Sequence, residues 1–325
     1  MTIFIYIILT HLALNAFIYY YFNFFKNKIN IYDYPDNKKK FHKIAIPLMG
    51  GWIFMFNLII FFTLNYSSMS RIEINILLCS LFFLLVGIFD DKYNLSPYAK
   101  FFFLISGLIV FFIFSENMVI KNVSIFNYNI HLSIYMGIFF SILCVLLFAN
   151  ALNLFDGINL QSSLYGLYFL LFLFFKDLFV KIILVSIISL IFIAFLNYKN
   201  KVFMGDSGTL FLGSFLSLLV IANYTEQNTI KTEEIFLLML IPGVDMFRLF
   251  LQRMFNRTNP FMGDREHLHH YLLKLYGYNF TIISILLISI LPSILNLYLD
   301  SKFVIFFCIT FYLLLLIFLK NRQMN

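Results

Sequence analysis

The sequence predicts an all-α, polytopic integral membrane protein with about eleven transmembrane helices. Three observations carry that expectation. Of 325 residues, 62% are hydrophobic and only 12% charged, about half the charged fraction of a soluble domain. The apolar residues run in long charge-free stretches, close to the roughly 20 residues that a spanning helix needs. Those stretches are continuously apolar, unlike the short alternating segments of a membrane β-barrel. A soluble enzyme, a disordered chain and a secreted disulfide scaffold are all disfavoured. Cys79, Cys144 and Cys308 lie inside apolar runs and show neither disulfide nor zinc spacing.

The predicted spans, in order, are 2–25, 46–66, 72–89, 98–115, 132–152, 158–175, 178–196, 207–223, 234–252, 278–297 and 303–319. The first has no basic segment before its apolar run, so it reads as a span and not as a cleavable signal peptide. The stretch from Asn122 to Phe155 lacks Asp, Glu, Lys and Arg and reads as an outer loop followed by the fifth span. Positive charge sets the orientation. The loops after spans 1, 3, 5, 7 and 9, with the tail, hold 17 of the 23 Lys and Arg residues; Arg71, Lys121, Lys176, Lys181, Lys231 and Lys302 face the other side. The N-terminus is therefore expected outside and the C-terminus in the cytoplasm. No linker, low-complexity tail or internal repeat divides the chain, so residues 1–325 read as one transmembrane domain. The basic excess belongs to membrane topology and implies no nucleic-acid partner.

Five polar clusters collect on the predicted cytoplasmic side. Asp33, Pro35 and Asp36 precede Lys38, Lys39, Lys40 and His42, with Pro47, Gly50 and Gly51 entering span 2. An ordinary positive-inside loop explains this run; so does an anion-receiving loop for phosphate. Asp90 and Asp91 end span 3, with Lys92 and Lys100 following. Two adjacent carboxylates at a helix C-terminus oppose both the helix dipole and each other, which favours a compensating cation or substrate over a merely solvated helix end.

Asn150, Asn153 and Asp156 recur every three residues on one helical stripe, and Gly157 is expected to end that helix and turn Asn159 toward the same place. Asparagines also glue membrane helices together, but an ionisable residue among amides at a span end favours a site. Gly205, Asp206, Ser207, Gly208 and Gly213 open span 8. Asp and Ser are good N-caps; the same helix start also suits phosphate, with a hard carboxylate to hold Mg²⁺ against it. Last come Arg253, Arg257, Asp264, Arg265, His267, His269 and His270, a basic loop whose Arg and His residues suit a diphosphate. Asp245 and Arg248, one turn apart, read as a structural pair. Acidic and basic ligands on one membrane face suit phosphoryl chemistry managed by a divalent cation.

With these residues in hand, the chain resembles the polyprenyl-phosphate N-acetylhexosamine-1-phosphate transferases. The resemblance rests on Asp33–Gly51, Asp90-Asp91, Asn150–Asn159, Gly205–Gly213 and Asp264–His270, in the family's order. The H-x-H-H ending and the span count look more like the initiating GlcNAc-1-phosphate transferases than the phospho-MurNAc-pentapeptide translocase. Lys38 stands where the family usually has Arg, and Asn159 where the translocase has Asp.

The resemblance implies transfer of a sugar-1-phosphate, with GlcNAc-1-phosphate the best guess, from a UDP-N-acetylhexosamine to undecaprenyl phosphate. UMP would leave, and the lipid-diphosphosugar would start an envelope polysaccharide such as O-antigen. It implies Mg²⁺ as cofactor (with Mn²⁺ as a substitute), the bacterial inner membrane as location, a cytoplasmic active site, contact with membrane lipids, and room for a homodimer. It further implies that Asp206 binds the metal with Asn153 as a second ligand, and that Asp90, supported by Asp91, deprotonates the lipid phosphate. Phe203 would stack on uracil and Asn159 would hydrogen-bond it, with Asn150 and Asp156 on the same stripe. Arg265, His267, His269 and His270 would hold the diphosphate and sugar, and Lys38, Lys39, Lys40, His42 and Lys100 would receive phosphates. A transporter or flippase for an anionic lipid or sugar phosphate is the rival reading. It predicts internal repeats and ionisable groups at mid-membrane.

Overall fold

A computed structural model describes residues 2–35, 44–176, 179–226, 229–259 and 265–324. Its helices are α1 (Thr2–Tyr20), α2 (Phe22–Ile29), α3 (Gly50–Asn65), α4 (Arg71–Tyr93), α5 (Pro97–Phe114), α6 (Ile134–Phe155), α7 (Gln161–Phe174), α8 (Val180–Tyr198), α9 (Gly205–Glu226), α10 (Thr232–Leu238), α11 (Leu240–Phe255), α12 (Leu268–Tyr276), α13 (Tyr278–Leu295) and α14 (Ser301–Met324). Among the described residues, nine helices are long and apolar enough to cross a membrane. The protein is an all-α polytopic membrane protein.

Each of the eleven expected spans has a helical counterpart, but two fall short. The sixth is α7, with 14 residues, about 21 Å at 1.5 Å per residue against a hydrocarbon core of about 30 Å. The ninth is broken at Met239 into α10 and α11. Pro242 explains the break: it has no N–H for the Leu238 carbonyl, and its ring crowds that turn. The stretch expected to be an outer loop contains an antiparallel hairpin of β3 (Asn122–Ile125) and β4 (Tyr128–His131). A second pair joins β1 (Tyr32–Asp33) to β2 (Ile46–Pro47).

Local signals set the helix ends. Ser70 and Glu73 form a capping box at the start of α4, and Ser96, followed by Pro97, caps α5. Asn94 closes α4 in the left-handed conformation, its N–H bonded to the Asp90 carbonyl. The return of the chain after α4 thus begins at the acidic pair.

Helix α9 is the axis of the bundle: every residue from Ser207 to Asn223 is buried, among α3, α4, α6 and α7. Small residues permit that packing. A Cβ on Gly51 would lie 2.7 Å from the Gly208 nitrogen, and one on Gly213 would lie 2.6 Å from the Ala149 Cα. Helix α1 is tied to α3 by buried side chains: Asn57 Oδ1 accepts from His11 Nδ1 at 3.1 Å and its Nδ2 donates to Asn15 Oδ1 at 2.9 Å. The periphery is apolar, with Phe102, Val110, Leu287, Phe306 and Leu314 among the exposed side chains, as lipid contact requires.

Candidate active site

The C-terminal ends of α4 and α6 and the N-terminal ends of α5 and α9 meet at one end of the bundle. There they border a cavity of about 880 Å³. Its lining includes Asp33, Asp90, Asp91, Asn153, Asp156, Asn159, Phe203 and Asp206, so four clusters that are distant in sequence share one chamber.

The acidic pair is compensated in two different ways. Asp91 accepts the backbone N–H groups of Asp206 at 2.8 Å and Ser207 at 3.0 Å. It therefore caps α9 from another helix, where the dipole welcomes negative charge. The expectation that Asp206 or Ser207 caps its own helix is corrected: α9 starts at Gly205 in the left-handed conformation (φ +67°), tight against the Asp91 carboxylate. Asp90, buried, accepts the Leu95 N–H at 2.8 Å and pairs with Lys100. Lys100 also donates to Asp206 Oδ2 at 2.8 Å. Its ammonium thus bridges two carboxylates; a phosphate-receiving role would require it to leave them.

Asn153 lines the same cavity, and its amide favours the ionised form of Asp206. Asp156, just past the end of α6, accepts from the Ser162 hydroxyl at 2.5 Å. Burial is the main cause that pushes its carboxyl up to about 6, opposed by the Ser162 bond and reinforced by the charge of Asp206. Asn159 donates to Asn200 and accepts the Tyr278 hydroxyl on its backbone carbonyl at 3.2 Å. Asn150 sits apart: its amide meets Met246 of α11 at 3.6 Å, and it is absent from the cavity lining. The stripe of three is a stripe of two, because Asn150 lies one turn deeper, at the α6–α11 contact.

Gly157 does not end α6 by adopting a left-handed conformation; Leu160 carries the positive φ of 68° in that turn. Gly157 is small for another reason. A Cβ there would overlap Nε2 of His269. That imidazole is buried, with Nδ1 3.3 Å from the Gln161 amide. Burial, reinforced by His270 and His267, holds its pKa well below the ordinary histidine range, so it is neutral at pH 7. His267 is also buried, with Nδ1 2.8 Å from Asp245. The ring of His270 packs 4.2 Å from that of His269. These three histidines back the wall of the cavity and do not line it. Arg265 is exposed beside them and is likewise absent from the lining. Lys38, Lys39, Lys40 and His42 lie outside the described residues.

Phe203 lies on the rim, stitched in place by backbone: its N–H donates to the Pro47 carbonyl and its carbonyl accepts the Gly50 N–H, both at 3.0 Å. The Pro-x-x-Gly-Gly segment therefore works as a brace for Phe203. Sequence reasoning passed over several lining residues, among them Tyr32, Tyr34, Asn197, Asn200 and Tyr278. Asn197 and Asn200, amides bordering Lys199 and Lys201 at a span end, had the same pattern as Asn150–Asn159 and were readable on that basis. Asn197 holds the turn, accepting the Leu160 N–H.

The donors offered to a cation here are carboxylate and amide oxygens. Among the described residues, no group of three His, Cys, Asp or Glu side chains gathers around one point. This hard and sparse set fits Mg²⁺, which takes one or two carboxylates and keeps water and phosphate as its other ligands.

Residues 74–224 match the sequence profile of glycosyl transferase family 4. The matched region runs from α4 through α9 and contains Asp90, Asp91, Lys100, Asn153, Asp156 and Asp206. Among similar proteins is a probable undecaprenyl-phosphate N-acetylglucosaminyl 1-phosphate transferase of Bacillus subtilis (strain 168), 28% identical over 300 residues, covering 87% of this chain and 83% of that protein. An undecaprenyl-phosphate alpha-N-acetylglucosaminyl 1-phosphate transferase of Thermotoga maritima is 27% identical, covering 87% and 86%. A phospho-N-acetylmuramoyl-pentapeptide-transferase of Streptococcus pneumoniae (strain 70585) is 30% identical over 213 residues, covering 59% and 64%.

Proposed function

We propose that this protein transfers N-acetylglucosamine-1-phosphate from UDP-N-acetylglucosamine to undecaprenyl phosphate at the cytoplasmic face of the bacterial inner membrane. The observation that carries the reading is the meeting of Asp90, Lys100, Asn153 and Asp206 beside one cavity at the end of a membrane bundle. A soluble nucleotide-sugar and a lipid phosphate can meet only at such an end. Similarity over 87% of the chain to two proteins named for this transfer supports the choice of substrates.

In the proposed reaction an oxygen of the lipid phosphate attacks the β-phosphorus of the nucleotide-sugar. The bond from that phosphorus to the bridging oxygen breaks, and UMP leaves with the bridging oxygen and its electron pair. The sugar–phosphate bond survives. Asp206 and Asn153 are the residues that would hold Mg²⁺, which, when bound, neutralises charge on the diphosphate. Asp90 is placed to accept a proton from the lipid phosphate, and Lys100 keeps Asp90 and Asp206 close in spite of their like charge. Asp91 aims the N-terminus of α9 into the site. Phe203 offers a flat apolar face for the uracil, and Asn159 offers an amide.

The test is to incubate purified protein with Mg²⁺, undecaprenyl phosphate and a panel of UDP-sugars, then to assay UMP and identify the lipid product by mass spectrometry. Release of UMP with formation of undecaprenyl-diphospho-N-acetylglucosamine is expected from wild type, and none from Asp206→Asn. Near-normal turnover by that variant would overturn the assignment.

A further inference from the structure

Asp245, read from sequence as the partner of Arg248 alone, is the centre of a larger buried network. Its carboxylate accepts from Arg248 at 2.9 Å, from the Tyr312 hydroxyl of α14, from His267 Nδ1 at 2.8 Å and from the Leu268 N–H at 3.4 Å. An ionised carboxylate has only acceptors, so the proton of this contact resides on Nδ1 of His267. Asp245 therefore fixes both the ring and the tautomer of the residue that caps α12. The ring of His267 lies parallel to that of His269, 5.4 Å away at 9°, and His269 in turn abuts Gly157 of the cavity turn. Asp245, Arg248 and Tyr312 themselves are absent from the cavity lining. Tyr312 is fully buried and lies far outside residues 74–224.

We infer that Asp245 is a positioning residue for the transfer proposed above, acting through His267 and His269 on the turn that carries Asp156 and Asn159. The inference rests on that functional reading. Asp156 and Asn159 are hydrogen-bonded to Ser162 and Asn200 and not to the Lys100 bridge between Asp90 and Asp206, so the effect is expected on donor binding more than on the chemical step.

The experiment measures UMP release by the purified full-length protein with undecaprenyl phosphate, Mg²⁺ and varied UDP-N-acetylglucosamine. Asp245→Asn keeps the volume but places an amide against His267. It is expected to raise KM about ten-fold with kcat within about three-fold of wild type. In a His267→Ala background the same substitution should add less than about two-fold, because its route to the site is already cut. Tyr312→Phe removes a single hydroxyl and should shift KM about three-fold in the same direction; it carries the test if Asp245→Asn fails to insert or fold. A wild-type KM in the variants, or an undiminished effect of Asp245→Asn without His267, would overturn the inference. An inactive wild-type protein would instead overturn the functional reading and take this inference with it.

Discussion

Lys100 Nζ donates to Asp206 Oδ2 at 2.8 Å, joining residues 106 positions apart in the chain. The same ammonium pairs with Asp90. Burial alone would make each carboxylate costly; a shared cation makes the two compatible.

Replacing Lys100 with Met should therefore leave two carboxylates facing each other. Because the Asp206 carboxylate is 34% exposed, the loss should stay below the roughly 3–5 kcal/mol of breaking a fully buried ion pair, and a divalent cation can take over the vacated role between the oxygens. The expected outcome is a lower melting temperature in Mg²⁺-free detergent and a larger rise on adding Mg²⁺ than wild type shows. Equal Mg²⁺ shifts in the two proteins would speak against a cation site at Asp206.

Asp91 caps α9 with two backbone hydrogen bonds. Asp91→Ala should lose about 1–2 kcal/mol, the range for a helix cap with favourable dipole placement. The loss should be independent of Mg²⁺, which separates Asp91 from Asp206. Melting in detergent with and without the cation checks this; a Mg²⁺-dependent loss would make Asp91 a ligand.

Gly157 has no side chain because His269 fills the space beside its Cα. Gly157→Ala should cost about 1–3 kcal/mol by overpacking. Adding His269→Ala should return part of that stability, a favourable coupling between the two sites. Additive losses in the double variant would mean that the methyl group is accommodated elsewhere.

The spans were legible because a bilayer demands long apolar runs, and hydropathy reports that demand directly. The shortness of α7 and the break between α10 and α11 were not, because hydropathy averages over the turn at Leu160 and over Pro242. Asp90, Asp91, Asn153, Asp156 and Asp206 stood out because charge and amide groups at span ends are costly without a purpose. The direction in which each points was illegible. Only packing shows that Asp91 turns to α9 and Asp90 to Lys100, or that Asn150 faces Met246. The placement of the histidines was illegible for a related reason: the fold buries His267 and His269, with His269 against Gly157.

Asp156, whose carboxyl is pushed up to about 6, chiefly by burial, should contribute to the pH response. A raised carboxyl pKa means that the folded state favours the protonated form. Its contribution to stability is complete below the ordinary aspartate range and is lost as pH rises through about 6. Over the same interval the cavity gains a negative charge beside Asp206, which strengthens its hold on a divalent cation. From pH 5 to 7 without Mg²⁺, the wild-type melting temperature should fall more than that of Asp156→Asn. With Mg²⁺ present the difference should shrink, since the cation offsets the new charge. Apparent Mg²⁺ affinity in the UMP-release assay should rise through pH 6 in wild type and rise less over that interval in the variant. A flat wild-type response would remove Asp156 from the ionising groups of the site.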